Sequence, residues 1–242
     1  MKILITGANG MLAKEVKEKF EKGNEIILTD VAELDITNEQ AVMDYIKNTK
    51  PDYIINCAAY TAVDKAEENF ELADRINGDG PANLAKAAKT AGAKLVHVST
   101  DYVFGGNMDI AKDYKEDDAK APVTAYGKTK LHGEKGIEEN MDEYYIFRTA
   151  WLYGVGGNNF VKTKTKLGST RNEINVVARP NGSLPIKAIA RHPTIAANAV
   201  DVNTEPIGIP SSSPNIVGLT ARIYDIVRNV VIPATISVRI VV

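Results

Sequence analysis

One cysteine, one tryptophan, five phenylalanines and three histidines are thin provision for 242 residues, and each scarcity closes a route. A single thiol, Cys57, cannot form an internal disulfide, so the chain is no disulfide scaffold; the thiol reads either as a sign of a reducing, cytoplasmic compartment or simply as a packed side chain. His97, His132 and His192 lack metal-ligand spacing, which argues against a histidine-built metal site. A formal net charge of −2 offers no basic surface to nucleic acid. No run of about 18 apolar residues provides a membrane span. Met1-Lys2 passes directly into a strand and a glycine turn, which reads as the absence of a secretory leader. No internal repeat is evident.

What is present is a strand, a glycine turn and a helix at the amino terminus. Lys2 to Thr6 reads as a buried strand, Gly7-Ala8-Asn9-Gly10-Met11-Leu12-Ala13 as a tight turn, and Ala13 to Phe20 has helical spacing. Such a turn lets backbone N–H groups approach a pyrophosphate at the helix N-terminus. Alanine at position 13, where a third glycine could sit, is small enough for close packing of helix on strand. A second strand, Glu25 to Thr29, ends in Asp30, about 20 residues on, where a carboxylate can accept from adenosine ribose hydroxyls. That charge disfavours a 2′-phosphate and no arginine in the turn offsets it, which leans towards NADH. A turn aspartate is the bland alternative.

A third strand follows Pro51 as Tyr53-Ile54-Ile55-Asn56-Cys57-Ala58-Ala59-Tyr60, and small residues at its end permit close approach of a cofactor backbone. An amphipathic helix is expected from about Ala66 to Gly92, broken near Gly78-Asp79-Gly80-Pro81. A fourth strand, Lys94 to Ser99, carries Thr100 at its carboxyl end. In open parallel sheets ligands bind outside the carboxyl ends of strands, and Gly7, Asp30, Ala58 and Thr100 all fall there. Tyr126 and Lys130 are four residues apart, hence on one face of a helix. Tyr-x-x-x-Lys recurs by chance in many helices. On this rim it reads as a proton-delivery device in which the ammonium lowers the pKa of the phenol.

Several longer stretches carry a resemblance: Ile5-Thr6-Gly7-Ala8-Asn9-Gly10, Asn56-Cys57-Ala58-Ala59-Tyr60-Thr61-Ala62-Val63-Asp64-Lys65-Ala66-Glu67, Ser99-Thr100-Asp101-Tyr102-Val103-Phe104, Tyr126-Gly127-Lys128-Thr129-Lys130-Leu131-His132-Gly133-Glu134 and Arg148-Thr149-Ala150-Trp151-Leu152-Tyr153-Gly154. The chain resembles the extended short-chain dehydrogenases/reductases and, within them, the dTDP-4-dehydrorhamnose reductase family, over about residues 1–177. The resemblance implies reduction of a 4-keto nucleotide sugar with NADPH or NADH. Tyr126 would be the proton donor, Lys130 would hold the nicotinamide ribose, and Thr100 would hydrogen-bond the keto oxygen. Asp101, Tyr102 and Trp151 would contact the sugar nucleotide. Gly7, Asn9, Gly10, Met11, Leu12, Asp30, Asp35, Ile36, Ala58, Ala59 and Tyr60, with Tyr126 and Lys130, would line the cofactor site. Mg²⁺ is a further implication, with Glu67 as its candidate ligand, and a homodimer is the assembly to expect. A non-catalytic dinucleotide-binding regulatory subunit and a sugar-nucleotide epimerase or dehydratase stand as alternatives; a dehydratase would want a carboxylate pair beside Thr100, and Tyr102 follows Asp101.

The chain is therefore read as α/β. A Rossmann-like doubly wound parallel sheet spans residues 1–177, and a small, atypical C-terminal substrate lobe spans 178–242. That last stretch changes composition abruptly, with seven of the ten prolines, twenty isoleucine or valine residues and two leucines. Either the lobe is divergent or its sequence is damaged, and an exposed apolar strand over 237–242 would be an aggregation hazard.

Overall fold

Lys2–Thr6 forms the first strand, β1, and its alternation divides the core: Ile3 and Ile5 face one side of the sheet and Leu4 the other. The structure, a computed structural model, describes residues 1–105, 114–149, 152, 154, 156, 157, 162, 166 and 237–241. The expected boundary at 177/178 and Trp151 lie outside the described residues.

The remaining strands are β2 (Glu25–Thr29), β3 (Tyr53–Asn56), β4 (Lys94–Thr100), β5 (Tyr144–Thr149) and β6 (Ser237–Val241). The helices are α1 (Met11–Phe20), α2 (Glu39–Thr49), α3 (Val63–Ala66), α4 (Phe70–Asp74), α5 (Gly80–Ala91) and α6 (Ala125–Asn140). The sheet order is β2-β1-β3-β4-β5-β6; β1 to β5 run parallel, and β6 pairs antiparallel with β5. The third strand, expected to run on to Tyr60, ends at Asn56. The strand expected over 237–242 appears as β6, paired with β5 along one side and last in the sheet order. The strand order reverses direction at β1 and β3, and the crevice at that switch point is where this architecture takes a ligand.

The two faces are covered by amphipathic helices. Leu12, Ala13, Val16 and Phe20 of α1 pack on Ile3, Ile5, Ile55, Val96 and Phe147. Val42 and Ile46 of α2, Leu84, Ala85 and Ala88 of α5 and Ile137 of α6 pack on Leu4, Ile54, Leu95 and Ile146. Removing this much aliphatic surface from water is the main source of stability, at roughly 25 cal/mol per Å².

The long helix expected from Ala66 to Gly92 is divided, but not at the glycines as a simple break. Arg75–Asp79 forms a π-helical turn that runs straight into α5. The extra residue turns Asn77 inward, where it is fully buried. Its amide accepts from the Tyr60 N–H at 2.8 Å and donates to the Tyr60 carbonyl at 3.0 Å and to Thr129 Oγ1 at 3.1 Å. One side chain therefore ties the loop after β3 to α6. Gly133 makes the close approach possible, because a Cβ there would collide with the Asn77 carbonyl oxygen.

Candidate active site

Sterics build the glycine turn. Gly7 has φ +66°, and a Cβ on it would stand 2.7 Å from the Ala58 backbone, so only glycine lets the loop after β3 lie there. The Gly10 N–H donates to the Gly7 carbonyl at 2.9 Å. α1 then starts with no side-chain cap and no acid in its first turn, a helix N-terminus arranged for an anion. Ala13, 1 % exposed, packs into the core as its small size allows. Asp30 closes this end, its Oδ2 accepting from the Asn9 N–H and its Oδ1 from the Val31 N–H, both at 2.9 Å. Asp35 Oδ1 accepts from the N–H and hydroxyl of Thr37, which folds the next loop over the same end.

A cleft of about 790 Å³ runs from this turn to α6. Every expected cofactor residue except Tyr60 lies in its lining, as do Thr100, Asp101 and Tyr102. A positive-φ glycine against a small-residue loop, and an uncapped helix start beside a carboxylate, fit a dinucleotide: pyrophosphate on the backbone, ribose on Asp30. Tyr60 stands apart, with its backbone bonded to Asn77 and its ring packed near Ala66, Ala73 and Ala125. Glu67, the candidate Mg²⁺ ligand, accepts the Ala125 N–H at 3.0 Å through Oε1 and so anchors the start of α6. Among the described residues no group of three or more His, Cys, Asp or Glu side chains could hold a metal ion, and no helix is long and apolar enough to cross a membrane.

The other end of the cleft is made by α6 and the carboxyl end of β4. Thr124 caps the helix, its hydroxyl accepting the Gly127 N–H at 3.0 Å, which fixes the rotation that turns Tyr126 and Lys130 towards β4. Thr100 Oγ1 accepts from the Tyr102 N–H at 3.2 Å, donates to Asp101 Oδ1 at 3.1 Å and hydrogen-bonds the Tyr126 phenol. Tyr102 meets the Tyr126 ring edge-on, with centroids 5.6 Å apart. Lys130 is 1 % exposed and donates to the Val98 carbonyl at 2.8 Å.

Burial governs the electrostatics. It lowers the Lys130 pKa to about 8, against a partial opposing pull from Glu134 and Cys57. It raises the Cys57 thiol to about 12, so this cysteine is no nucleophile. Asp101 is raised by burial, opposed by its hydrogen bond with Thr100. Tyr126 is raised as well, first by burial and then by the Asp101 charge, with the Thr100 hydrogen bond pulling the other way. Here the sequence expectation fails: the ammonium was to lower the phenol, yet Lys130 turns its Nζ to Val98 and His97 instead. The site therefore holds a phenol in its protonated form, ready to give its proton to a strong base such as an alkoxide.

Sequence reasoning missed His97, Asn56, Asn77 and the pair Glu134–Arg148. Arg148 and Glu134 form a buried double hydrogen bond at 2.7 and 2.8 Å, and Arg148 also donates to the Glu116 carbonyl at 3.0 Å and lies over the Phe104 ring. A lone polar residue inside an otherwise apolar strand was the signal available for His97, but its partners come from β3 and α6.

Sheet order, glycine turn and the Thr100, Tyr126, Lys130 grouping define a short-chain dehydrogenase/reductase of the extended type. The family model described as the RmlD substrate binding domain matches residues 1–203. The dTDP-4-dehydrorhamnose reductase of Salmonella typhimurium is 38% identical over 223 residues, which are 90% of this chain and 71% of that protein. The crystal structure of a dTDP-4-dehydrorhamnose reductase from Clostridium acetobutylicum superposes with TM-score 0.70 at 54% identity, covering 73% of this chain and 62% of that one. The Bacillus anthracis enzyme, solved in complex with NADP, gives TM-score 0.70 at 46% identity, covering 73% and 63%. The chain belongs to the dTDP-4-dehydrorhamnose reductase family, and it spans less than two thirds of the length of these two solved structures.

Proposed function

We propose that this chain reduces the 4-keto group of dTDP-4-dehydro-6-deoxy-L-mannose to dTDP-L-rhamnose with NADPH or NADH, in the cytoplasm. The observation that carries the reading is the meeting, in one cleft, of a dinucleotide cradle and a protonated phenol held by Thr100. A nicotinamide supplies the hydride when bound, and the chain's own groups do the rest. The uncapped start of α1 and the Gly7 turn hold the pyrophosphate; Asp30 takes ribose hydroxyls. Thr100 and Tyr126 together grip the keto oxygen, which gains negative charge as the carbonyl is reduced, and Tyr126 delivers its proton there. An alkoxide is more basic than a phenolate, so a phenol with a raised pKa still gives its proton downhill and is seldom ionised beforehand. Asp101 and Tyr102 flank the position of the sugar.

The relative from Bacillus anthracis, 46% identical, was solved with NADP, whereas the Asp30 charge favours NADH; both nicotinamides are therefore assigned to this cleft. The test follows the fall in absorbance of NADPH and of NADH on addition of dTDP-4-dehydro-6-deoxy-L-mannose. Sugar-dependent oxidation by the intact chain is the expected result. No oxidation of either nicotinamide removes the reading.

A further inference from the structure

Beneath the cleft lies a row of buried polar side chains that the scheme above does not use. Thr6, Asn56 and His97 are register partners across β1, β3 and β4, so they point to the same side of the sheet. Thr6 Oγ1 donates to Asn56 Oδ1 at 2.6 Å, and the Ala58 N–H donates to the same oxygen at 3.1 Å. Asn56 Nδ2 stands 3.0 Å from His97 Nδ1, and His97 Nε2 stands 3.2 Å from Lys130 Nζ. None of Thr6, Asn56, His97 and Lys130 is more than 1 % exposed.

These bonds fix where the protons are. A backbone N–H can only donate, so the Asn56 atom facing Ala58 is the oxygen and the atom facing His97 is the NH₂. That NH₂ donates, which makes His97 Nδ1 the acceptor. Burial and the Lys130 charge keep the ring neutral by holding its pKa well below the ordinary value. A neutral imidazole accepting at Nδ1 carries its proton on Nε2, aimed at Lys130. An amine lone pair satisfies that N–H, and an ammonium opposes it.

We propose that His97 is a positioning residue of the proton-delivery device: locked by Asn56 as the Nε2–H tautomer, it aims that proton at Lys130 Nζ and opposes the ammonium form of that lysine. The inference rests on the reductase reading for its use. When Tyr126 protonates the alkoxide, its O–H bond breaks and the sugar O–H forms, and a proton from water re-forms the phenolic O–H before the next turnover. Lys130 contributes its charge to the cleft only while it is protonated; as the amine it accepts from His97 Nε2–H. The other ionisable groups facing Lys130 do not reverse this. Glu134, one turn further along α6, is bound to Arg148; Cys57, from the end of β3, stays a thiol; Asp101 and Tyr102 act on Tyr126.

Two measurements test it. Long-range ¹H–¹⁵N correlation on histidine-labelled, cofactor-free protein reads the tautomer directly. Proton on Nε2 and bare Nδ1 for His97 from about pH 7 to pH 9 is expected, and proton on Nδ1, or on both nitrogens, overturns the proposal. The pH profile of sugar reduction reads the consequence. Its alkaline limb is expected near pH 8 in the wild type. His97→Met, which has no N–H to oppose the ammonium, moves that limb up by about one pH unit. His97→Gln, which presents an oxygen to Asn56 and an NH₂ to Lys130, leaves it in place. A His97→Met enzyme with lower turnover and an unmoved limb makes His97 merely structural and overturns the proposal. Should the wild type prove inactive, the reductase reading falls, and the tautomer measurement alone then decides the placement of His97.

Discussion

The two ends of the cleft hold polar groups by opposite means. At the Gly7 end the work is done by backbone: a positive-φ glycine, an uncapped helix start and the half-exposed Asp30. At the Tyr126 end it is done by side chains, with Thr100 and Lys130 both buried and each tied to neighbours across β4 and α6. A backbone site depends on shape and is damaged by adding atoms. A side-chain site depends on proton placement and is damaged by removing them.

The comparison can be broken from either end. The largest effect belongs to Tyr126→Phe, which removes the proton donor and should lower sugar-dependent oxidation by about 10²- to 10⁴-fold. Cofactor affinity, set at the other end, should stay close to wild type. Steady-state kinetics and a fluorescence titration with the nicotinamide separate the two, and undiminished oxidation would place the proton source elsewhere.

Next comes Arg148→Met, which strands Glu134 as a buried, uncompensated carboxylate. Urea unfolding should show a loss of about 3–5 kcal/mol; a change within experimental error would mean that the pair is not buried as described.

Gly7→Ala adds one methyl group against Ala58 at a φ that alanine resists. A cost of about 2 kcal/mol, or some tens of fold in nicotinamide affinity, is expected. Turnover at saturating cofactor should be largely kept, the converse of Tyr126→Phe. A Gly7→Ala protein with normal affinity and poor turnover would erase the distinction between the ends.

The smallest effect is in stability against pH. The folded-state pKa of His97 lies well below 6.5, so below that pH the unfolded chain binds a proton that the folded one refuses. Stability therefore falls on acidification from pH 6.5, at up to about 1.4 kcal/mol per pH unit for this one group. His97→Gln should flatten that slope, as thermal melts between pH 5 and pH 7 can check. Lys130 acts in the same sense higher up: its folded pKa of about 8 lies below the ordinary 10.5, so the cost of burying its charge is relieved as pH rises between those values.

The backbone end was the more legible in the sequence. Gly7 and Gly10 follow a strand directly and Asp30 ends the next, and each such rule depends on a short stretch of chain. The strand Glu25–Thr29 was also readable, because its apolar residues are contiguous, and Lys94–Ser99 was readable to within one residue of the observed end at Thr100. At the side-chain end Thr100, Tyr126 and Lys130 could be named, but not what they touch. Which way Lys130 points depends on His97, and the state of His97 depends on Asn56, 41 residues before it. Asn77 was hidden for a related reason: Gly78-Asp79-Gly80-Pro81 signalled an irregularity beside it, but a π turn differs from an α turn by one residue, and nothing local says which way Asn77 then faces.

The turn at Arg75–Asp79 has a consequence for reading change in this molecule. Deleting one residue there would restore regular α-helical hydrogen bonding and improve the helix as an isolated object. It would also swing Asn77 by about 100° around the axis, releasing both Tyr60 and Thr129. The least regular turn of the helical layer is thus the one where tidiness and fitness point in opposite directions, and a shorter, smoother helix here would mark a damaged protein.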